Sequence, residues 1–277
     1  MFAENENAKK WLVEFDAALQ NKDIDKAVGM FHAESYWRDL VSFTWNLKTA
    51  EGQAQIRAML EATLEKTKPS HWVLEGEPTV TDGITEAWFT FETLVSRGKG
   101  LLRLRDGKAW TLLTTMVELK GFEETKGERR PKGVEHGSYK GRKTWKESRD
   151  DEAHTLGYTK QPYVVIVGGG QAGIILGARL RKLGVPAIII EKNARAGDSW
   201  RNRYKSLCLH DPVWYDHLPY MPFPDDWPVF APKDKVGDWL EMYTKVMELN
   251  YWHSTSCKKA SYNEKRREWE VTVEREG

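Results

Sequence analysis

Apolar positions along the first 120 residues change from a helical to a strand-like spacing. A recurrence every three to four residues predicts a first amphipathic helix, through Ala8, Trp11, Leu12, Phe15, Ala18 and Leu19. Similar spacing predicts a helix after the N-cap candidate Asp23 and another over 51–66, with a strand region at 36–45 between them. From residue 87 short apolar runs dominate, and Asp106-Gly107 between two of them predicts a β-hairpin. Helices followed by an antiparallel sheet predict an α+β domain over residues 1–122.

This order of elements resembles the NTF2-like, SnoaL-type cone fold. The resemblance implies an aromatic-lined pocket and a homodimer through this domain, and in some members of that family a pocket acid acts as a base. Asp39, in Trp37-Arg38-Asp39, lies near the position of such an acid. The alternative, which we favour, is that Asp39 pairs with Arg38 or another cation near a strand end, because carboxylates usually pair or are solvated.

Residues 123–160 are rich in charge and poor in large aliphatic side chains. Basic residues cluster at 128–133 and 140–143, and acidic residues are interspersed among them. So few apolar side chains cannot build a core. We therefore predict a charged linker with one helix near 145–156; a basic patch is the other interpretation.

A glycine-rich turn follows the short apolar run at 163–167. It has the pattern G-x-G-x-x-G at Gly168, Gly170 and Gly173, and it is followed by a predicted helix, a strand at 187–190 and then Glu191. Gly168 permits the turn, Gly170 lets a pyrophosphate approach, and Gly173 lets the helix pack closely on the strand. The helix N-terminus attracts phosphate, and Glu191 can accept hydrogen bonds from ribose hydroxyls while repelling a 2′-phosphate. This order of elements predicts a Rossmann-like site for FAD or NAD rather than NADP.

The motifs after Glu191 carry a resemblance to a known family. They share an order typical of that family and comprise Gly197-Asp198-Ser199-Trp200, Tyr204-Lys205-Ser206-Leu207-Cys208-Leu209-His210 and Leu218-Pro219-Tyr220-Met221-Pro222-Phe223-Pro224. Over roughly residues 164–243 the chain is similar to the flavin-containing monooxygenases, especially the branch with the plant auxin-forming enzymes.

This resemblance implies roles for individual residues. Gly168, Gly170, Gly173 and Glu191 would hold the adenosine and pyrophosphate of FAD. Ser199 and Trp200 would contact FAD further along. His210 and Asp211 would lie beside the flavin ring or the nicotinamide, with His210 either donating a proton or positioning the ring as a neutral histidine.

The same resemblance implies an NADPH-dependent monooxygenase that acts on a nitrogen, sulfur or carbonyl centre of a small-molecule substrate. The cofactor supplies the chemistry, so we expect no catalytic side chain in this chain. A β-hairpin is predicted around the charged turn at 264–267. In the family a second G-x-G-x-x-G domain for NADPH comes later, and none follows Gly173 here.

We therefore expect residues 161–277 to be the N-terminal portion of an α/β Rossmann-like FAD-binding domain. That domain would be incomplete, the NADPH site would lie outside this chain, and the chain alone would be inactive. One alternative is a non-catalytic truncated product with an NTF2-like binding or dimerising module and an impaired FAD site. Another is an FAD- or NAD-dependent reductase without oxygenation.

Composition limits the classes of partner and the cellular compartment that we expect for this chain. The 42 Lys and Arg residues against 41 Asp and Glu residues give a net charge of +1, which gives no support for a nucleic-acid partner. Two cysteines cannot form a disulfide framework, and they have no spacing that suits zinc. The polar start lacks a signal-peptide core, and no apolar run is long enough to span a membrane. These features predict a cytoplasmic protein without a metal site.

Overall fold

The computed structural model describes residues 2–134, 136–137 and 140–276. The chain divides into two compact units, Met1–Glu123 and Glu124–Gly277, and each has its own hydrophobic core. The second unit contains most of the segment predicted as a linker. Residues 135, 138 and 139 of that segment lie outside the described residues.

The first unit packs three helices against a six-stranded sheet. Its elements are, in chain order, α1 (Phe2–Gln20), α2 (Ile24–Gly29), β1 (Phe31–Leu40), β2 (Leu47–Glu51), α3 (Gly52–Thr67), β3 (Ser70–Thr81), β4 (Ile84–Glu92), β5 (Ser96–Arg105) and β6 (Lys108–Leu119). The strand order is β2-β1-β6-β5-β4-β3. The three predicted helices and the hairpin at Asp106-Gly107, which joins β5 to β6, are confirmed.

Two details of the predicted sheet are wrong. The sheet is not wholly antiparallel, because β1 pairs in parallel with β6. The strand predicted at 36–45 is β1, which begins at Phe31 and ends at Leu40. The chain bends after Leu40 because the side chain of Asp39 accepts hydrogen bonds from the backbone N–H groups of Phe43 and Thr44.

Aromatic side chains fill the core of the first unit. They pack with ring centroids 4.6 to 6.5 Å apart, and the set comprises Trp11, Phe15, Phe31, Trp37, Phe43, Trp72, Phe89 and Phe91. Gly98 and Gly100 make room for two of these rings. A Cβ on Gly98 would lie 2.3 Å from the ring of Phe91, and one on Gly100 would lie 2.2 Å from the ring of Phe89. The rings therefore lie directly across the neighbouring strand, packed against one another.

The second unit is an α/β arrangement around a three-stranded parallel sheet. Its elements are α4 (Trp145–Thr155), β7 (Val164–Val167), α5 (Gln171–Lys182), β8 (Ala187–Ile190), α6 (Asp198–Arg201), α7 (Lys233–Val246), β9 (Tyr251–Trp252), β10 (Thr255–Asn263) and β11 (Glu268–Arg275). The sheet has the order β7-β8-β9, and β10 and β11 form the predicted antiparallel hairpin. The β7–α5–β8 order places the glycine-rich turn and Glu191 at the carboxyl ends of adjacent strands.

Helix α4 confirms the helix predicted within the charged segment. It begins with a capping box, in which Thr144 and Glu147 bond each other's backbone N–H groups. None of its residues is buried, so charged contacts attach it to the rest of the unit. Glu152 pairs with Arg181 of α5 at 2.8 Å and also accepts a hydrogen bond from Asn250. In the described part of the chain no helix is long and apolar enough to cross a membrane.

Candidate functional site

Backbone geometry requires glycine at positions 168 and 173 of the segment that joins β7 to α5. Gly168 has a φ of 103°, and its N–H donates to the carbonyl of Ile190 at 2.9 Å. Gly173 lies in the first turn of α5, where a Cβ would be 2.0 Å from the carbonyl oxygen of Gly168. The strand and the helix therefore approach more closely than any other residue at position 173 would allow.

Gly170 leaves an open space at the N-terminus of α5. It is the N-cap residue, and no side chain caps the helix there. A Cβ on Gly170 would meet nothing nearer than the Ser199 hydroxyl, 3.9 Å away. The first N–H groups of an α-helix have no partner within the helix and carry partial positive charge. The end of α5 is therefore a cradle for an anion.

Glu191 lies beside this cradle at the end of β8. Its side chain is only 8% exposed. One carboxylate oxygen accepts the N–H of Gly169 at 2.7 Å, and the other accepts the N–H of Asn193 at 2.9 Å. Each carboxylate oxygen can accept a further hydrogen bond, which makes Glu191 suitable for binding hydroxyl groups.

Ser199 and Trp200 are brought to the start of α5 by the short helix α6. Gly197 precedes that helix with a φ of 88°, and a Cβ there would lie 2.1 Å from the carbonyl oxygen of Gly237. The indole N–H of Trp200 donates to the side chain of Gln171, the first residue of α5, at 3.0 Å. The Ser199 hydroxyl is buried and has no hydrogen-bond partner among the described residues. A buried hydroxyl facing an open cradle is a donor available to a ligand.

Arg201 is a residue of this region that the sequence analysis missed. Its guanidinium lies 3.0 Å from Asp198 and bonds Asp238 and Glu241 of α7 at 2.8 and 2.9 Å. Arg201 therefore fixes α6, and with it Ser199, to α7. The only sequence signal is its place next to the Gly197–Trp200 motif, because its partners lie about 40 residues further along.

Tyr251 is a second residue that the sequence analysis missed. Its hydroxyl donates to the carbonyl of Gly169 at 2.9 Å, from the third strand of the sheet. Burial, together with the negative charges of Glu191 and Asp198, raises the pKa of Tyr251 well above its usual value. The hydroxyl therefore keeps its proton at neutral pH. Nothing in the local sequence of Tyr251 indicates this contact, since 82 residues separate the two partners.

His210 and Asp211 are exposed and lie on a different segment. That segment runs beside 229–233, with the N–H of Leu209 bonded to the carbonyl of Ala231 at 2.8 Å. In the described part of the chain no recorded contact joins His210 or Asp211 to the glycine-rich turn. Their proximity to a flavin ring stays a prediction, whereas the glycines, Glu191, Ser199 and Trp200 do lie together.

Asp39 in the first unit is buried, and none of the described cationic side chains pairs with it. Its carboxylate accepts the N–H groups of Phe43 and Thr44 and the hydroxyls of Thr44 and Thr114, at 2.8 to 3.2 Å. The predicted pairing with Arg38 is wrong, because the guanidinium of Arg38 bonds Thr49 instead. The carboxylate of Asp39 therefore stabilises the bend after β1.

Comparisons with known proteins find an oxidoreductase and a monooxygenase that are similar to part of this chain. An uncharacterized oxidoreductase, CzcO-like, from Geobacillus kaustophilus is 40% identical over 86 residues, which is 31% of this chain and 25% of that protein. The probable indole-3-pyruvate monooxygenase YUCCA3 of Arabidopsis thaliana is 36% identical over 108 residues, or 39% of this chain and 25% of that protein. We assign these matches to the second unit because it holds the glycine-rich motif. The chain thus spans about a quarter of the length of these curated relatives.

The solved structures that are similar to this chain cover less than half of it. OTEMO in complex with FAD and NADP is 24% identical, with a TM-score of 0.37 over 43% of this chain and 24% of that one. An NTF2-like protein from Novosphingobium aromaticivorans is 12% identical, with a TM-score of 0.34 over 42% of this chain and 84% of that one. No family model matches the chain.

Proposed function

We propose that the second unit, which holds the glycine-rich motif, binds the adenosine and pyrophosphate of FAD as flavin-containing monooxygenases do; the chain is similar over part of its length to an oxidoreductase and a monooxygenase. The observation that carries the proposal is the open N-terminus of α5 facing the unpartnered hydroxyl of Ser199. These residues fit a dinucleotide, because a pyrophosphate needs several N–H and O–H donors and no obstructing side chain.

Each residue of the site has a task in this proposal. Gly170 leaves room for the pyrophosphate, whose charge the N–H groups of α5 stabilise. Ser199 donates its hydroxyl to the same group, and Trp200, held by Gln171, forms part of the wall beside it. Glu191 accepts hydrogen bonds from the ribose hydroxyls and repels a 2′-phosphate.

For the reaction, we propose the same general class as that of the monooxygenase relatives. When bound, FAD would supply redox chemistry with NADPH and O₂, leading to oxygenation of a nitrogen, sulfur or carbonyl centre in a small molecule. The residues of this chain bind and orient the cofactor, and none of them is proposed as a catalytic acid or base. The site for NADPH and the site for the substrate are assigned to residues outside the motifs described here.

For the first unit we propose an NTF2-like fold. The packing of α1 and α3 against the sheet and the parallel β1–β6 pair support this proposal. The aromatic side chains contact one another throughout its interior, so we propose that this unit acts as a support or a dimerisation module. Sedimentation of the 277-residue chain tests the dimer, which requires twice the mass of 32.0 kDa.

Substitution of Gly170 tests FAD binding with little risk to the fold. Position 170 has an ordinary φ of −73° and open space around a Cβ. We expect Gly170→Val to fold and to weaken the binding of FAD and ADP by about 100-fold, which equals ~2.7 kcal/mol. Gly29→Val is the matched control, because Gly29 also has open space but lies in the first unit. Unchanged affinity in Gly170→Val, measured by calorimetry, would refute the site.

A further inference from the structure

The peptide groups of the glycine-rich turn are held by side chains from two other strands. The N–H of Gly169 donates to Glu191 at the end of β8, and the carbonyl of Gly169 accepts the hydroxyl of Tyr251 on β9. Gly169 itself must lack a side chain, since a Cβ there would be 2.1 Å from the Tyr251 hydroxyl. Tyr251 thus contacts the turn directly, at a point where only glycine fits.

In a trans peptide the C=O and the N–H point in opposite directions, and the described residues contain no cis peptide bond. The peptide group between Gly168 and Gly169 has this arrangement. Its N–H points at Glu191, while its carbonyl oxygen lies on the side of α5, 2.0 Å from where a Cβ of Gly173 would be. Fixing one end of a peptide group in this turn therefore fixes the direction of the other end.

The next peptide group, between Gly169 and Gly170, is fixed by Tyr251. Because its carbonyl points at the Tyr251 hydroxyl, its N–H must point away from Tyr251. That N–H belongs to Gly170, the N-cap residue of α5, which has open space beside it. We propose that Tyr251 is a positioning residue of the dinucleotide site, which aims the Gly170 N–H at the pyrophosphate of the bound cofactor.

This inference rests on the proposed FAD site and assigns a task to a residue outside the G-x-G-x-x-G motif. Without the Tyr251 hydroxyl, the Gly169–Gly170 peptide group loses the one side-chain partner that it has among the described residues, and it can rotate. Glycines on both sides offer little resistance to that rotation. The ligand would then have to order the peptide group on binding, which lowers affinity for the pyrophosphate but not for the adenosine.

The test compares two tyrosines whose hydroxyls each donate to a backbone carbonyl, Tyr251 to Gly169 and Tyr243 to Pro219. Tyr251→Phe removes the hydroxyl on Gly169, and Tyr243→Phe removes a buried hydroxyl that donates to the carbonyl of Pro219 at 2.7 Å. Both variants of the 277-residue chain lose one tyrosine-to-carbonyl hydrogen bond within the second unit. FAD and ADP affinities are measured by calorimetry, adenosine affinity by ligand-observed NMR, and thermal unfolding by circular dichroism.

We expect Tyr251→Phe to bind FAD and ADP about five- to tenfold more weakly and adenosine as tightly as the parent chain. Tyr243→Phe should bind all three ligands normally, whatever its melting temperature. Equal ligand affinities in Tyr251→Phe and the parent chain would overturn the inference, and so would equal losses in both variants or an equal loss for adenosine. If the parent chain binds neither FAD nor ADP, the proposed function itself fails, which is a distinguishable result.

Discussion

Replacing Asp39 with asparagine tests whether this buried carboxylate is structural. One of its oxygens, Oδ2, accepts three donors, the N–H of Phe43 and the N–H and hydroxyl of Thr44. The other, Oδ1, accepts the hydroxyl of Thr114, which itself accepts the indole N–H of Trp37. The amide oxygen of an asparagine can replace only one of these two acceptors.

The expected cost follows from these contacts. With the amide oxygen in place of Oδ2, three hydrogen bonds lose their charged acceptor, and the NH₂ group faces the Thr114 hydroxyl. A hydrogen bond to a charged group contributes about 1.5–3 kcal/mol and a neutral one about 0.5–1.5 kcal/mol. We therefore expect Asp39→Asn to lower the free energy of unfolding of the first unit by about 3 kcal/mol.

The assay is hydrogen exchange at increasing urea concentrations, read by mass spectrometry on peptides from β1 and β6. This measurement follows the first unit separately from the second. The matched control is Asp25→Asn, whose carboxylate is 87% exposed in its pair with Arg57 and should change stability by less than about 0.5 kcal/mol. An Asp39→Asn chain as stable as the parent, or more stable, would refute the structural role of this carboxylate.

Three further predictions concern the core, the ribose contact and pH. Gly98→Ala should lower the free energy of unfolding of the first unit by about 1–3 kcal/mol in the same assay, because its Cβ would displace the ring of Phe91; a neutral effect would contradict the packing described. Glu191→Gln should weaken FAD binding by about tenfold. It should also reduce the preference for ADP over ADP that carries a 2′-phosphate, as measured by competition calorimetry. An unchanged preference would argue against the ribose contact. Burial, the largest single influence, would raise the pKa of Glu152, but the hydrogen bonds from Arg181 and Asn250 and the charges of Arg181 and Arg149 together outweigh it and hold that pKa below its ordinary value of 4.5. The second unit should therefore keep this stabilisation above pH 4.5 and lose it as pH falls through the lowered pKa. Glu152→Gln should reduce this loss of stability at low pH, measured as the melting temperature against pH. A pH profile identical to that of the parent chain would contradict the prediction.

The local elements were predictable where the signal is contained in consecutive residues. The helix α5, the hairpin at Asp106-Gly107 and the helix α4 depend on residues a few positions apart, and the structure has all three. Likewise, the motif indicated the turn, because Gly168 and Gly173 meet steric requirements within a single strand–turn–helix unit.

Contacts between distant segments were not predictable in the same way. The parallel pairing of β1 with β6 depends on how the whole first unit closes, which the alternation of apolar residues does not reveal. The partners of Asp39 are mainly backbone N–H groups of a bend, whereas charge alone suggested Arg38. Tyr251 reaches the turn from a two-residue strand that carries no motif.

Titration of the 277-residue chain with FAD measures whether the second unit binds this cofactor. We expect saturable binding of one FAD per chain, with a change in flavin fluorescence and with increased protection of the α5 amide groups in hydrogen exchange. Absence of binding at about 1 mM FAD would contradict the proposal, because a dissociation constant of about 1 mM corresponds to a binding free energy of only ~4 kcal/mol. Protection of the α5 and β8 amide groups in the same sample shows that the second unit is folded.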